Sequence, residues 1–119
     1  MLYYRIMKIE FFKKNSGNTP VEDFIINNLE PKDQKKVIRA LERVVGEDDG
    51  LVNLFMAEYA KKLETDLYEL TPDRVRIIFT LKDRICWLLH AFFKKTNKTP
   101  AKELNVARER KNLIFNKLI

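Results

Sequence analysis

Val75-Arg76-Ile77-Ile78-Phe79-Thr80-Leu81-Lys82-Asp83-Arg84-Ile85-Cys86-Trp87-Leu88-Leu89-His90-Ala91-Phe92-Phe93 decides the fold. The polar pair Lys82-Asp83 separates two runs rich in β-branched and aromatic residues, the pattern of two strands joined by a tight turn. In the first run Val75, Ile77, Phe79 and Leu81 share one face, and Arg74, Arg76, Ile78 and Thr80 share the other. In the second, from Arg84 to Phe93, alternation sets Ile85, Trp87, Leu89, Ala91 and Phe93 against Cys86, Leu88, His90, Phe92 and Lys94. A run that is apolar on both faces belongs at the centre of a sheet.

Upstream, Leu63 to Leu70 is a third strand, set off by Thr71-Pro72-Asp73, so the three runs form a meander. Tyr4 to Phe12 adds a strand at the N-terminal end, and Lys13 to Asn18 breaks it. Thr19-Pro20-Val21-Glu22 then starts a helix. Thr19 is placed to cap, Pro20 fits the first helical position, and Glu22 can reach back as a capping box. Its apolar stripe is Val21, Phe24, Ile25 and Leu29. Pro31 opens a second helix with Val37, Ile38, Leu41, Val44 and Val45 inward, ended by the stretch from Gly46 to Gly50. Leu51 to Lys62 fits either a short helix or an irregular loop. Thr99-Pro100 repeats the helix-start signal, followed by an inner stripe of Leu104, Ala107, Ile114 and Leu118. The expected fold is α+β in the order β-α-α-β-β-β-α. It is a small antiparallel sheet with an N-terminal helical hairpin and a C-terminal helix, the helices covering one face, in a single domain over 1–119.

Charge is distributed unevenly. Residues 1–93 hold 15 Lys+Arg and 15 Asp+Glu. After them come Lys94, Lys95, Lys98, Lys102, Arg108, Arg110, Lys111 and Lys117 against only Glu103 and Glu109, a difference that supplies the whole net charge of +6. Such asymmetry favours a polyanionic partner. The single cysteine, Cys86, allows no intrachain disulfide and reads as a small buried hydrophobe. No stretch has the apolar length of a membrane span, and Met1 to Lys8 lacks a signal-peptide core, so a cytoplasmic protein without a membrane role is expected.

The chemistry is narrowed by what is missing. No phosphate-binding glycine loop, HExxH pair or paired-cysteine spacing occurs, so no cofactor or metal is expected. Ser16 and His90 are the only residues of their kinds, which rules out a two-histidine acid/base pair. Glu69, inside a strand, could pair with Arg74 or Arg76. The remaining chemistry is cationic: Arg74, Arg76, Lys94, Lys95 and Lys98. Cleavage of a phosphodiester by its own 2′-hydroxyl needs charge stabilisation on phosphoryl oxygens, which arginine supplies with a planar fork of donors. A lysine serves as acid or base when neighbouring cations lower its pKa. Positioning by a larger assembly would compensate for a weak site.

These residues also carry a resemblance. Leu67-Tyr68-Glu69-Leu70, Val75-Arg76-Ile77-Ile78-Phe79, Trp87 to Pro100 with its Phe93-Lys94-Lys95-Thr96-Asn97-Lys98-Thr99-Pro100 segment, and Ala107-Arg108-Glu109-Arg110 together resemble the RelE/HigB toxin superfamily. The similar branch is the HigB-like, phage-derived one, and the pattern spans roughly residues 4–112. The resemblance implies the toxin of a type II toxin–antitoxin system. Such a toxin is a ribosome-dependent endoribonuclease that cuts mRNA in the A site without metal. It also implies a cognate antitoxin, often a helix-turn-helix, HigA-like protein, and the ribosome with its mRNA as partners. Carried over, Arg76, Lys94 and Lys95 are the candidate catalytic residues. Arg74, Lys98, Lys102 and His90 are candidate RNA contacts. Two departures stand out. Glu69-Leu70-Thr71 stands where many relatives have Glu-Leu-Arg, and the last helix holds neither tyrosine nor histidine. The competing reading is a non-catalytic module on the same fold that binds nucleic acid or a partner through its basic helix.

Overall fold

A computed structural model describes residues 5, 6, 8–46 and 48–116 of the chain. Its elements are β1 (Lys8–Phe11), α1 (Pro20–Asn28), α2 (Pro31–Gly46), α3 (Gly50–Met56), β2 (Ala60–Glu64), β3 (Leu67–Leu70), β4 (Val75–Lys82), β5 (Ile85–Phe93) and α4 (Ala101–Phe115). Among the described residues the strands form one sheet in the order β1-β5-β4-β3-β2. The α+β class, the helical hairpin and the C-terminal helix match the expectation from sequence. Of the expected elements, Tyr4 in the first strand and Leu118 in the last helix lie outside the described residues.

The sheet is mixed. Strands β2 to β5 pair antiparallel, as tight turns require, but β1 runs parallel to β5 with Lys8 opposite Ile85 and Phe11 opposite Leu88. No turn joins β1 to β5, so their relative direction is not constrained by one. The run from Leu63 to Leu70 is two strands. Asp66 adopts φ 59°, and the chain reverses at Thr65-Asp66 between β2 and β3. The hairpin between β4 and β5 turns at Asp83-Arg84, one residue later than the polar pair suggested. Both residues have positive φ (56° and 64°), as a two-residue type I′ turn requires.

Helices cover both faces, which corrects the expectation of one covered face. On one side α1, α2 and α3 bury Val21, Ile25, Val37, Val44 and Leu54 against Val75, Ile77, Phe79, Cys86 and Leu88. On the other, α4 buries Ala107 and Ile114 against Phe12, Leu67, Ile78, Leu89 and Phe92. Strands apolar on both sides need this double cover. Strict alternation in β5 also fails. The register shifts by one residue, with Ile78 opposite His90 but Phe79 opposite Leu88, and Leu89 is the extra residue. Cys86 and Leu88 therefore share their face with Ala91 and Phe93, whereas Leu89, His90 and Phe92 all face α4.

The helix starts also differ from simple capping. The Thr19 hydroxyl donates to Glu22 Oε1 at 3.0 Å and caps no backbone N–H. Pro100, not Thr99, holds the N-cap of α4, and the Thr99 hydroxyl is spent on Glu69. In α2, Val37, Leu41 and Val44 make the inward stripe, while Ile38 lies beside it at 49% exposure. The open stretch from Leu51 resolves into α3. Glu58 (φ 64°) follows it, with Tyr59 N–H donating to the Leu54 carbonyl at 2.8 Å and Glu58 N–H to that of Phe55, a Schellman-type end. Among the described residues no helix is long and apolar enough to cross a membrane.

Candidate nucleic-acid interface

The cations sit where β4 begins and β5 ends. Val75 lies opposite Phe93 and Arg76 opposite Phe92, and the Lys94 N–H extends the ladder by donating to the Arg74 carbonyl at 2.8 Å. Lys94 thus occupies the diagonal cross-strand position to Arg76, within reach of long side chains. Arg76 is half-buried, and its Nη1 donates to the carbonyls of Asp73 (2.6 Å) and Val75 (2.8 Å). Those bonds fold the guanidinium over the Thr71-Pro72-Asp73 turn. Lys95, Lys98 and Lys102 are exposed along the loop and the first turn of α4.

That loop is pinned from below. Thr96 donates its hydroxyl to the Lys98 carbonyl, and Thr99 donates to Glu69 Oε2 at 2.9 Å. Glu69 is 1% exposed, and its other oxygen lies 3.6 Å from Lys61 Nζ. A buried carboxylate needs such partners to remain charged. Its partners are therefore Thr99 and Lys61, in place of the expected Arg74 or Arg76. Beside it a groove of about 400 Å³ is lined by Lys61, Lys62, Leu63, Asn97, Lys98, Thr99 and Leu104. Lys61 and Lys62 were not legible as part of this surface, because nothing in the 51–62 stretch revealed a strand beside β3.

Two expected RNA contacts are engaged elsewhere. Arg74 turns to the hairpin side, where Nε and Nη2 donate to Asp33 Oδ2 at 3.0 and 2.8 Å and the guanidinium lies 4.9 Å from the Phe93 ring centre. The hydrogen bond and charge of Asp33 raise the Arg74 pKa further. His90 is held between strand and helix. Its Nε2 lies 2.8 Å from Glu103 Oε1, and its ring stacks on Phe92 at 5.5 Å. Burial lowers the His90 pKa, with Glu103 opposing and the nearby Arg110 charge adding to the drop. Arg110 in turn donates to the Leu89 carbonyl at 2.8 Å, the residue of the β5 bulge.

The structure therefore brings together Arg76 and Lys94 by register, and Lys98 with Lys61 and Lys62 around one groove. Arg74 lies opposite Lys94 by the same register, but its side chain turns away to Asp33, and that of His90 is held by Glu103. Farther along α4, Arg108 makes a double contact with Glu64 at 2.6 and 2.9 Å, which lowers the Glu64 pKa. Cys86 is wholly buried and its thiol pKa is pushed up, away from thiolate chemistry. Among the described residues, no group of three or more His, Cys, Asp or Glu side chains could hold a metal ion.

The surface so assembled offers donors of positive charge along the exit of a central strand, suited to phosphate oxygens. No curated protein sequence matches the chain. A family model does, over residues 23–112, which include most of α1, all of α2, α3 and β2 to β5, and most of α4. The chain belongs to the phage derived protein Gp49-like family (DUF891).

Proposed function

We propose that the protein is the toxin of a type II toxin–antitoxin pair, a RelE/HigB-like endoribonuclease that cleaves mRNA held in the ribosomal A site. The Gp49-like family is toxin-like, and its members typically pair with antitoxins. The observation that carries the reading is the register that sets Arg76 diagonal to Lys94 at the mouth of the basic loop. In this reading the Arg76 fork takes the phosphoryl oxygens as charge builds in the transition state. Lys94 and Lys95 lie on either side of the reacting phosphate, to move the 2′-hydroxyl proton and the leaving-oxygen proton. The 2′-oxygen attacks phosphorus, the bond to the 5′-oxygen breaks, and a 2′,3′-cyclic phosphate results. Lys98 and Lys102, with Lys61 and Lys62 across the groove, track the RNA backbone. Arg74 and His90 brace the strand and helix on which these side chains ride.

Purified protein added to ribosomes programmed with a defined mRNA tests this. The expected result is A-site cleavage with cyclic-phosphate ends and little cutting of naked mRNA. Intact mRNA on those ribosomes would sink the mechanism. Salt-sensitive RNA binding without cleavage would identify the alternative, a non-catalytic basic module.

A further inference from the structure

Among the described strand residues Glu69 is the only buried acid, at 1% exposure in β3, and the chemistry above gives it no part. Its register partners are Lys61 on β2 and Ile78 on β4. Its two oxygens go to opposite walls of the basic groove. Oε2 accepts from the Thr99 hydroxyl at 2.9 Å, on the loop wall with Asn97 and Lys98. Oε1 lies 3.6 Å from Lys61 Nζ, on the β2 wall with Lys62 and Leu63. A carboxylate taken out of water is costly, and an apolar side chain would fill this place in the sheet more cheaply. What the carboxylate supplies instead is a tie from one wall to the other. The N-cap position of α4 belongs to Pro100, so the Thr99 hydroxyl serves the tie and not the helix. Lys98, beside Thr99, is also held by its main chain, since the Thr96 hydroxyl donates to the Lys98 carbonyl. The side chains of Lys62 and Lys98 are exposed, and among the described residues no salt bridge engages either.

We infer that Glu69 is a positioning residue for RNA: by holding Thr99 and Lys61 it sets the separation of the groove walls, so that Lys62 and Lys98 stand on either side of one strand. The inference rests on the reading of this face as the RNA-binding one. Glu69 touches no RNA itself and acts through Thr99 on Lys98. Its own negative charge opposes a phosphate backbone, which gives its two effects opposite signs. By Coulomb's law alone, removing Glu69 tightens RNA binding. Loss of the tie weakens it, because ordering the freed loop then subtracts from binding.

The test measures oligouridylate binding to the whole protein by fluorescence anisotropy across a range of salt. Glu69→Met puts an apolar side chain of similar length in place of the carboxylate. It should keep the melting midpoint, since exchanging a buried ion pair for an apolar residue is commonly neutral or stabilising. It should nevertheless bind about tenfold more weakly, although it removes a negative charge. Thr99→Val should do the same, and Thr99→Ser, which keeps the hydroxyl, should bind as the unaltered protein does. In Thr99→Val the slope of log affinity against log salt should shrink by about 0.7, the loss of one phosphate contact on a single strand. In a Lys98→Ala background Thr99→Val should weaken binding no further, because its effect runs through Lys98. Unchanged or tighter binding by Glu69→Met, normal binding by Thr99→Val, no recovery in Thr99→Ser, or additive losses in the Lys98→Ala background would overturn the proposal. If Glu69→Met fails to fold, the two Thr99 variants decide. An unaltered protein that does not bind oligouridylate overturns it together with the RNA reading of this face. Cleavage on programmed ribosomes is followed in parallel. Binding that responds as expected without cleavage refutes the ribonuclease reading alone.

Discussion

His90 and Glu103 join β5 to α4 through a half-buried contact of 2.8 Å between Nε2 and Oε1. Burial outweighs the carboxylate and holds the His90 pKa below the ordinary histidine value of about 6.5. The unfolded chain then binds a proton more readily than the folded one in the range just below that value. Stability from this site is therefore complete at neutral pH and lost as pH falls through the unfolded value towards the folded one. The melting midpoint should drop between pH 7.5 and pH 5.5, and His90→Gln should flatten that drop. An unchanged slope in the variant would remove His90 as its source.

Arg74 and Asp33 make a second contact of this kind, between a half-exposed guanidinium and a buried carboxylate. Asp33 is 1% exposed, its Oδ2 accepts twice from Arg74, and its Oδ1 has no hydrogen-bond partner. Removing the guanidinium strands a buried carboxylate. Arg74→Ala should lower the melting midpoint by on the order of 5 °C, a shift typical of losing one buried contact in a domain of this size. Adding Asp33→Asn should restore part of it, because the amide carries no charge to strand. A single variant that melts with the unaltered protein would mean that the pair braces nothing.

The contrast between these two residues and the lysines shows what could be read beforehand. Val75 to Phe93 fixed a hairpin because period-two alternation and a polar turn act locally. The bulge at Leu89 was invisible, since a one-residue shift depends on the partner strand, and it turned His90 toward α4. The direction of β1 and the strand at Ala60–Glu64 likewise follow from pairing across the sheet, which no local pattern encodes. Candidate lysines were legible as a charge cluster. Which arginine stands beside them was not, because Asp33, distant in sequence, draws Arg74 away.

Val37 and Ile38 separate the true stripe of α2 from the expected one. Val37 is fully buried and Ile38 is half-exposed. Val37→Ala should cost on the order of 2 kcal/mol in chemical denaturation, from lost transfer energy and a residual cavity. Ile38→Ser should stay within about 0.5 kcal/mol. Equal costs would mean that α2 is rotated about its axis from the orientation described.

Arg76 carries the sharpest test of the site. Its hydrogen bonds go to two main-chain carbonyls of its own turn, so its loss strands no buried charge. Arg76→Ala should therefore melt within about 2 °C of the unaltered protein, in the range of an ordinary surface change. If its guanidinium stabilises the transition-state phosphoryl, ribosome-dependent cleavage should fall by about a hundredfold or more, the scale of removing one preorganised donor. Arg76→Lys should recover only a fraction, because an ammonium cannot present two parallel donors to one phosphate. Arg74→Ala serves as the comparison, since it keeps the Arg76 and Lys94 register and should cleave at a near-normal rate below its lowered midpoint. A folded Arg76→Ala that cuts at full rate, or an Arg74→Ala that loses more activity than Arg76→Ala, would move the phosphate to the other face of the turn.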